Sequence, residues 1–275
     1  MEPRLQRRVQ RYGWDLAAGG AYALHWHAAL AGVQAELLAA AAPAPGERVL
    51  DVACGTGVVA VAAARAVGRS GEVLGIDLSQ RMVDAAHRHA GELGLPQAAF
   101  TRMDAECLDL PDGQFDLVLC ALGLMYLPDP GAALREMRRV LRPGGRVALA
   151  VWGERGRCGW APLFGIVDAE VASEVCPLFF GLGQGEALAR LCDACGLRVT
   201  DQRRRSDTLV YASDDAACEA AFAGGPVALA WSRFDAETRE RVCQRYLQAI
   251  APWRAAPGYR VPAEFVMITA TRPRD

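Results

Sequence analysis

Between Glu47 and Trp152 the apolar positions of the chain fall into two alternating kinds of run. Short blocks rich in Val, Leu and Ile ("ERVLDVA", "GEVLGIDL", "AAFTRMDA", "FDLVLCALGL", "GRVALAVW") have the length and near-continuous apolarity of strands buried on both faces. Between them lie "GVVAVAAARAV", "SQRMVDAAHRHAGELG" with Ser79 as N-cap, and "DPGAALREMRRVL", stopped by Pro143-Gly144-Gly145; these read as helices. Strands separated by helices of this length need parallel crossovers, so the pattern predicts an α/β fold: a doubly wound, Rossmann-like sheet with helices on both faces. Ligands of such sheets bind beyond the carboxyl ends of the strands, where the connectivity reverses.

The first strand ends at such a place, in "RVLDVACGTGVV". Gly55 and Gly57 allow a ligand to approach the backbone, and Asp51 puts a carboxylate at the strand end. The second strand also closes on an acid, Asp77, where a ribose's hydroxyls could be held. A dinucleotide site asks for Gly-x-Gly-x-x-Gly, but here Ala53, Gly55 and Gly57 are followed by Val58, Val59 and Ala60. A carboxylate beside that turn repels a pyrophosphate and attracts an ammonium group, so the pattern favours a nucleoside with a cationic, amino-acid-like tail. Singly, Asp77 could cap the next helix and Asp104 could be a turn residue; jointly, acids ending three successive strands point to a site.

Composition narrows the chemistry. With 275 residues, 52% of them hydrophobic, the chain can bury one large core with a small appended unit. A net charge of −2 gives no footprint for nucleic acid or anionic lipid. "RLQRRVQR" and Arg203 to Arg205 read as solvated faces. The chain has no Lys and no Asn, as expected of a GC-rich bacterial genome, which rules out a Walker loop, a Schiff-base lysine and an N-glycosylation acceptor. The absence of a signal-like leader and of a membrane span leads to the expectation of a cytoplasmic protein. Most of the nine cysteines, in a reducing compartment, read as small buried hydrophobes, the Cys192-Asp-Ala-Cys195 pair as helix packing, and no metal site is expected.

"VLDVACGTG", "GIDLSQRM", "RMDAECLDLPDGQFDLVLC" and "EMRRVLRPGGRVALAVW", in that order, resemble class I S-adenosylmethionine-dependent methyltransferases of the ubiquinone/menaquinone-biosynthesis branch. The resemblance covers about 48–152 and implies a seven-stranded sheet and S-adenosyl-L-methionine as cofactor, with S-adenosyl-L-homocysteine as product. It also implies that Asp51 lies near the methionine amino group, that Ala53, Gly55 and Gly57 line the methionine and ribose, and that Asp77 holds the ribose hydroxyls. Leu78 and Met82 would lie against the adenine, Asp104 and the Ala105 amide at its edge, and Cys120 and Ala121 beside the sulfonium. Met82 could equally be a core residue and Cys120 a strand-end filler. Many relatives carry Gly at position 53; Ala is tolerated there provided its φ stays negative.

The rest of the chain is assigned by position around that core. Residues 1–45 read as an N-terminal helical cap around Trp14 and Trp26, 46–152 as the cofactor-binding core, and 153–275 as the remainder of the sheet with lid insertions near 153–183 and 213–257. "YRVPAEFVMITATRP" reads as the last strand, with the alternation of a sheet edge. Trp160, Phe164, Phe179, Phe180 and Trp231 either line an apolar acceptor pocket or form the lid's own core. Methyl transfer needs a general base only if the acceptor must lose a proton; the candidates are His25, His27 and Tyr126, while His87 and His89 fall on an outer helix face. The expected reaction is methylation of a small lipophilic or aromatic molecule, quinone-like or a natural-product scaffold, with neither nucleic acid nor membrane as partner and the oligomeric state open, a homodimer included. The rivals are a nicotinamide-dependent oxidoreductase, opposed by the glycine spacing and the missing Tyr-x-x-x-Lys pair, and a non-catalytic nucleoside-binding sensor or partner module.

Overall fold

The computed structural model describes residues 3–18, 21–171 and 179–274. Its frame is a single sheet of β1 (Arg48–Val52), β2 (Glu72–Asp77), β3 (Ala98–Arg102), β4 (Phe115–Ala121), β5 (Leu141–Trp152), β6 (Arg198–Tyr211), β7 (Arg254–Ala255) and β8 (Gly258–Thr271). The strand order is β3-β2-β1-β4-β5-β8-β6, with the two-residue β7 pairing β8 off that path. The expected seven strands are therefore present, and β7 makes an eighth. β1 to β5 pair in parallel, whereas β8 runs antiparallel to both β5 and β6. This corrects the edge assignment of "YRVPAEFVMITATRP": β8 lies inside the sheet and β6 is the edge. The run from Phe265 to Ile268 is buried without interruption, as a strand covered on both faces must be.

The helices are α1 (Pro3–Ala17), α2 (Ala21–Ala41), α3 (Val58–Val67), α4 (Gln80–Glu92), α5 (Pro130–Val140), α6 (Pro162–Val171), α7 (Ala187–Ala194), α8 (Asp214–Cys218), α9 (Ala228–Arg233) and α10 (Ala236–Ile250). Ser79 caps α4, its Oγ accepting from the Met82 N–H at 3.2 Å, as its position in the sequence suggested. Asp129 and Asp235 cap α5 and α10 in the same manner. α2 presents Trp26, Leu30, Val33, Leu37 and Ala41 to the core, the i, i+3, i+4 stripe of a helix laid on a sheet. Among the described residues no helix is long and apolar enough to cross a membrane.

Beyond β5, Trp160 and Gly224 to Pro226 wall a cavity together with Leu122 and Trp152. Phe164, Phe179 and Phe180 are buried and pack with Trp160 at ring-centroid distances of 4.7 to 5.7 Å. Trp231 stacks on Phe222 at 5.1 Å. Most of the aromatics weighed as pocket lining thus pack on one another as a core of their own. The Arg203 to Arg205 run is a strand rather than a solvated helix face, and each guanidinium has an acid: Asp201 at 2.6 Å, Glu264 at 2.9 Å and Glu36 at 2.7 Å respectively. Cys192 and Cys195 are buried where α7 packs, as expected of small apolar residues; Cys176 lies outside the described residues.

Candidate active site

Connectivity reverses between β1 and β4, and the crevice predicted there is open. Three cavities share walls at this edge, and Tyr22 of α2 lines all three. The first is a cleft over the ends of β1 to β4. The second, about 340 Å³, is polar and runs between the β1–α3 turn and α2. The third, also about 340 Å³, is walled by Trp14, Trp26, Leu30, Trp152 and Trp160 beneath a glycine turn at Gly224-Gly225.

The acids stand where their strands end. Asp77 lines the large cleft and is braced from two sides: Oδ2 accepts from the Gly55 N–H at 3.0 Å, Oδ1 from the Ser79 N–H at 2.9 Å. Each oxygen keeps a lone pair for a further donor. Burial raises its pKa to about 6 despite those amides. Asp51, only 1% exposed, lines the polar cavity, and its Oδ2 has no hydrogen-bond partner. Burial pushes its pKa up to about 8, against the Ala60 backbone hydrogen bond and with added repulsion from Asp77.

Leu78, Met82, Asp104, Ala105 and Ala121 line the large cleft with Ala53 and Gly55, so the residues gathered by the sequence motifs converge. Met82 is at once 2% exposed and part of the cleft wall. Gly57 and Cys120 differ, because neither lines any of the three cavities. At Gly57, with φ +81°, a Cβ would stand 2.9 Å from that of Ala86; its smallness serves the packing of the turn on α4. Cys120 is fully buried behind the edge, its thiol pushed up to about 12 by burial.

Position 53 departs from the expectation of a negative φ, since Ala53 lies at φ +57°, the left-handed region. What accommodates its side chain is Gly123 after β4, where a Cβ would come within 2.4 Å of that of Ala53. Gly123→Ala is expected to destabilise the protein by about 1–3 kcal/mol through overpacking, and adding Ala53→Gly to recover part of that loss. Urea unfolding of the two single variants and the double variant measures the coupling.

The candidate bases separate. His25 turns away from the three cavities to face Glu219 at 3.2 Å, because it sits two positions, roughly 200° around the helix, from His27. His27 lines the polar cavity, its Nε2 2.7 Å from Thr56 Oγ1, and burial lowers its pKa. Tyr126 stands on the wall shared by the large and the aromatic cavities. His89 is half-buried, with Nδ1 3.3 Å from the Thr56 carbonyl, so it faces inward rather than outward.

Sequence reading expected an N-terminal helical cap around Trp14 and Trp26 but missed the polar ties that hold α1 in place. Arg7 bridges Asp104, at 3.3 Å, and Glu106, which also accepts from the Asp129 N–H at 3.2 Å. Asp15 accepts from Ser79 Oγ at 2.5 Å. These ties pin α1 over the cleft, adding Gln10 and Trp14 to its wall. The available signal was the polar stripe of α1, whose acid-free first turns need partners elsewhere. Leu122, at φ +62° on the wall shared by the large cleft and the aromatic cavity, carries no signal in sequence at all.

Residues 49–145 match the family model described as a methyltransferase domain. Aklanonic acid methyltransferase DauC of Streptomyces sp. (strain C5) is 42% identical over 106 residues, 38% of this chain and 48% of that protein. Demethylmenaquinone methyltransferase of Anoxybacillus flavithermus is 37% identical over 119 residues, 43% of this chain and 50% of its own. The chain thus spans about half the length of these curated relatives. Among solved structures, that of the [4+2]-cyclase SpnF is similar over 98% of this chain and 97% of its own, with a TM-score of 0.62 and 22% identity, a likeness of fold alone.

Proposed function

We propose that this chain, whose core belongs to the class I S-adenosylmethionine-dependent methyltransferases, moves a methyl group from S-adenosylmethionine to a small apolar, aromatic acceptor. The observation that carries the reading is the meeting of three unlike cavities at Tyr22. A sulfonium has three substituents: here the nucleoside suits the cleft of Asp77, the charged tail suits the polar cavity of Asp51, and the methyl group faces the aromatic cavity. The orphaned Asp51 Oδ2 fits a donor-rich group such as the tail's ammonium. Fold likeness alone would not decide for methyl transfer, since the SpnF structure is named for a cyclisation.

When bound, the cofactor supplies an electrophilic methyl group. The protein's own part is positioning and exclusion of water. Among the described residues no acid, histidine or arginine lines the aromatic cavity, and its ionisable side chains are those of Tyr22 and Tyr126. Burial and the nearby Asp77 push the Tyr22 phenol up to about 12, so it stays protonated and can donate to an acceptor oxygen but not take a proton. The acceptor is accordingly one that ionises by itself, such as an enol, phenol or hydroquinone of an extended ring system, in keeping with relatives named for aklanonic acid and demethylmenaquinone.

Calorimetry with S-adenosylmethionine, S-adenosylhomocysteine and NADH tests the cofactor, and transfer of labelled methyl to naphthohydroquinones and polycyclic phenols tests the acceptor. Binding of both sulfur ligands with label in an aromatic product supports the reading; binding of NADH alone would overturn it. Leu30→Phe fills the aromatic cavity from its far wall. It is expected to raise the acceptor KM about tenfold, a loss of roughly 1.4 kcal/mol, with the cofactor Kd unchanged within twofold.

A further inference from the structure

Gln34 sits in the buried stripe of α2, among Leu30, Val33 and Leu37, which are 4%, 1% and 0% exposed. It is itself 9% exposed, and its Oε1 is buried without a hydrogen-bond partner. An unsatisfied buried acceptor is costly, and any apolar residue would continue the stripe without that cost. The same polar cavity that Gln34 lines is lined by Asp51, whose Oδ2 is likewise buried and unpartnered. Two orphan acceptors in the wall of one cavity call for a ligand group with several N–H donors and positive charge. Two turns earlier on the same helix, His27 Nε2 is already engaged by Thr56 Oγ1, 2.7 Å away, which leaves the acceptor pair to the ligand.

We propose that Gln34 is a specificity-determining residue which, with Asp51, holds the α-ammonium group of the cofactor's amino-acid tail. The inference rests on the functional reading above and assigns its tail recognition to α2 as well as to the β1 turn. Gln34 accepts one N–H of the ammonium through Oε1, and Asp51 accepts another through Oδ2. α2 thereby senses the tail directly, and a nucleoside lacking the amino group leaves both acceptors unmet.

The test measures Kd for S-adenosylhomocysteine, its deaminated analogue and 5′-methylthioadenosine, which lacks the amino-acid tail, on the wild type, Gln34→Leu and Gln34→Glu. Gln34→Leu is expected to weaken S-adenosylhomocysteine at least tenfold, to leave the other two within twofold, and to raise the melting temperature of the ligand-free protein, because the orphan oxygen is gone. Gln34→Glu is expected to bind S-adenosylhomocysteine at least as tightly as the wild type does. Equal weakening of all three ligands by Gln34→Leu, or no weakening of any, overturns the assignment and leaves the functional reading standing. So does wild-type binding of 5′-methylthioadenosine as tight as that of S-adenosylhomocysteine. A wild type that binds none of the three overturns the functional reading itself, and this inference with it.

Discussion

Asp77→Asn is expected to weaken S-adenosylmethionine about 100-fold or more in a calorimetric titration, the loss of two hydrogen bonds to a charged acceptor at about 1.5–3 kcal/mol each. The geometry makes the loss sharper than a simple neutralisation. Asp77 already takes the Gly55 and Ser79 N–H groups on opposite oxygens, so its orientation is fixed and its remaining lone pairs face the cleft. An amide in its place must aim an NH₂ at one of those N–H donors, which disturbs the β1 turn as well as the ribose contact. The pH dependence separates charge from shape. Because burial holds Asp77 at a pKa of about 6 in the ligand-free protein, the wild type must release a proton there to bind below that pH. Affinity should therefore fall as pH drops through 6, about tenfold per unit from this group, and the Asp77→Asn variant should lack that limb. A variant with wild-type affinity at pH 7 would mean that the ribose is not held at Asp77.

Much of this arrangement was legible in the sequence because the core repeats one local rule. β1 to β3 are short apolar runs with an acid at or just beyond the end, and Asp51, Asp77 and Asp104 gather at one edge of the sheet because parallel strands point the same way. Asp51, Asp77 and Asp104 could thus be placed together without a structure. What failed to show were features set by tertiary partners. The sign of φ at Ala53 depends on the space left by Gly123, seventy residues later. The place of β8 inside the sheet depends on β6 pairing at its far side, which no window of sequence contains. The histidines of α2 carry the same local signal, yet the helix turns His27 to the cavity and His25 to Glu219. How α1 is held there emerged only from long-range ties such as Arg7 with Glu106, because a charged amphipathic helix reads the same whether it faces solvent or a ligand.

Asp51→Asn is expected to trade binding for stability, and pH is the variable that exposes the trade. In the ligand-free fold Asp51 holds its proton up to about pH 8, because burial outweighs the one backbone hydrogen bond it receives. In the unfolded chain an aspartate loses its proton near pH 3.9. Between those values the native state binds more protons than the unfolded state, so this group's contribution is greatest below pH 4 and is lost as pH rises through 8, at up to about 1.4 kcal/mol per unit. Asparagine keeps the shape and never ionises, which removes the dependence. Thermal unfolding of the ligand-free proteins should show the variant gaining on the wild type as pH is raised from 5 to 8.5. Titration with S-adenosylhomocysteine should show the opposite, a loss of at least tenfold, because the ammonium no longer meets a carboxylate. Binding to the wild type at pH 7 should also release close to one proton, read from the buffer dependence of the calorimetric heat, and binding to Asp51→Asn should release almost none. A cationic tail that draws the proton off Asp51 replaces a desolvated acid by an ion pair, so the energy stored by burying that carboxyl is returned only when the ligand arrives. The same burial that strains the empty fold therefore makes the site selective for a cation.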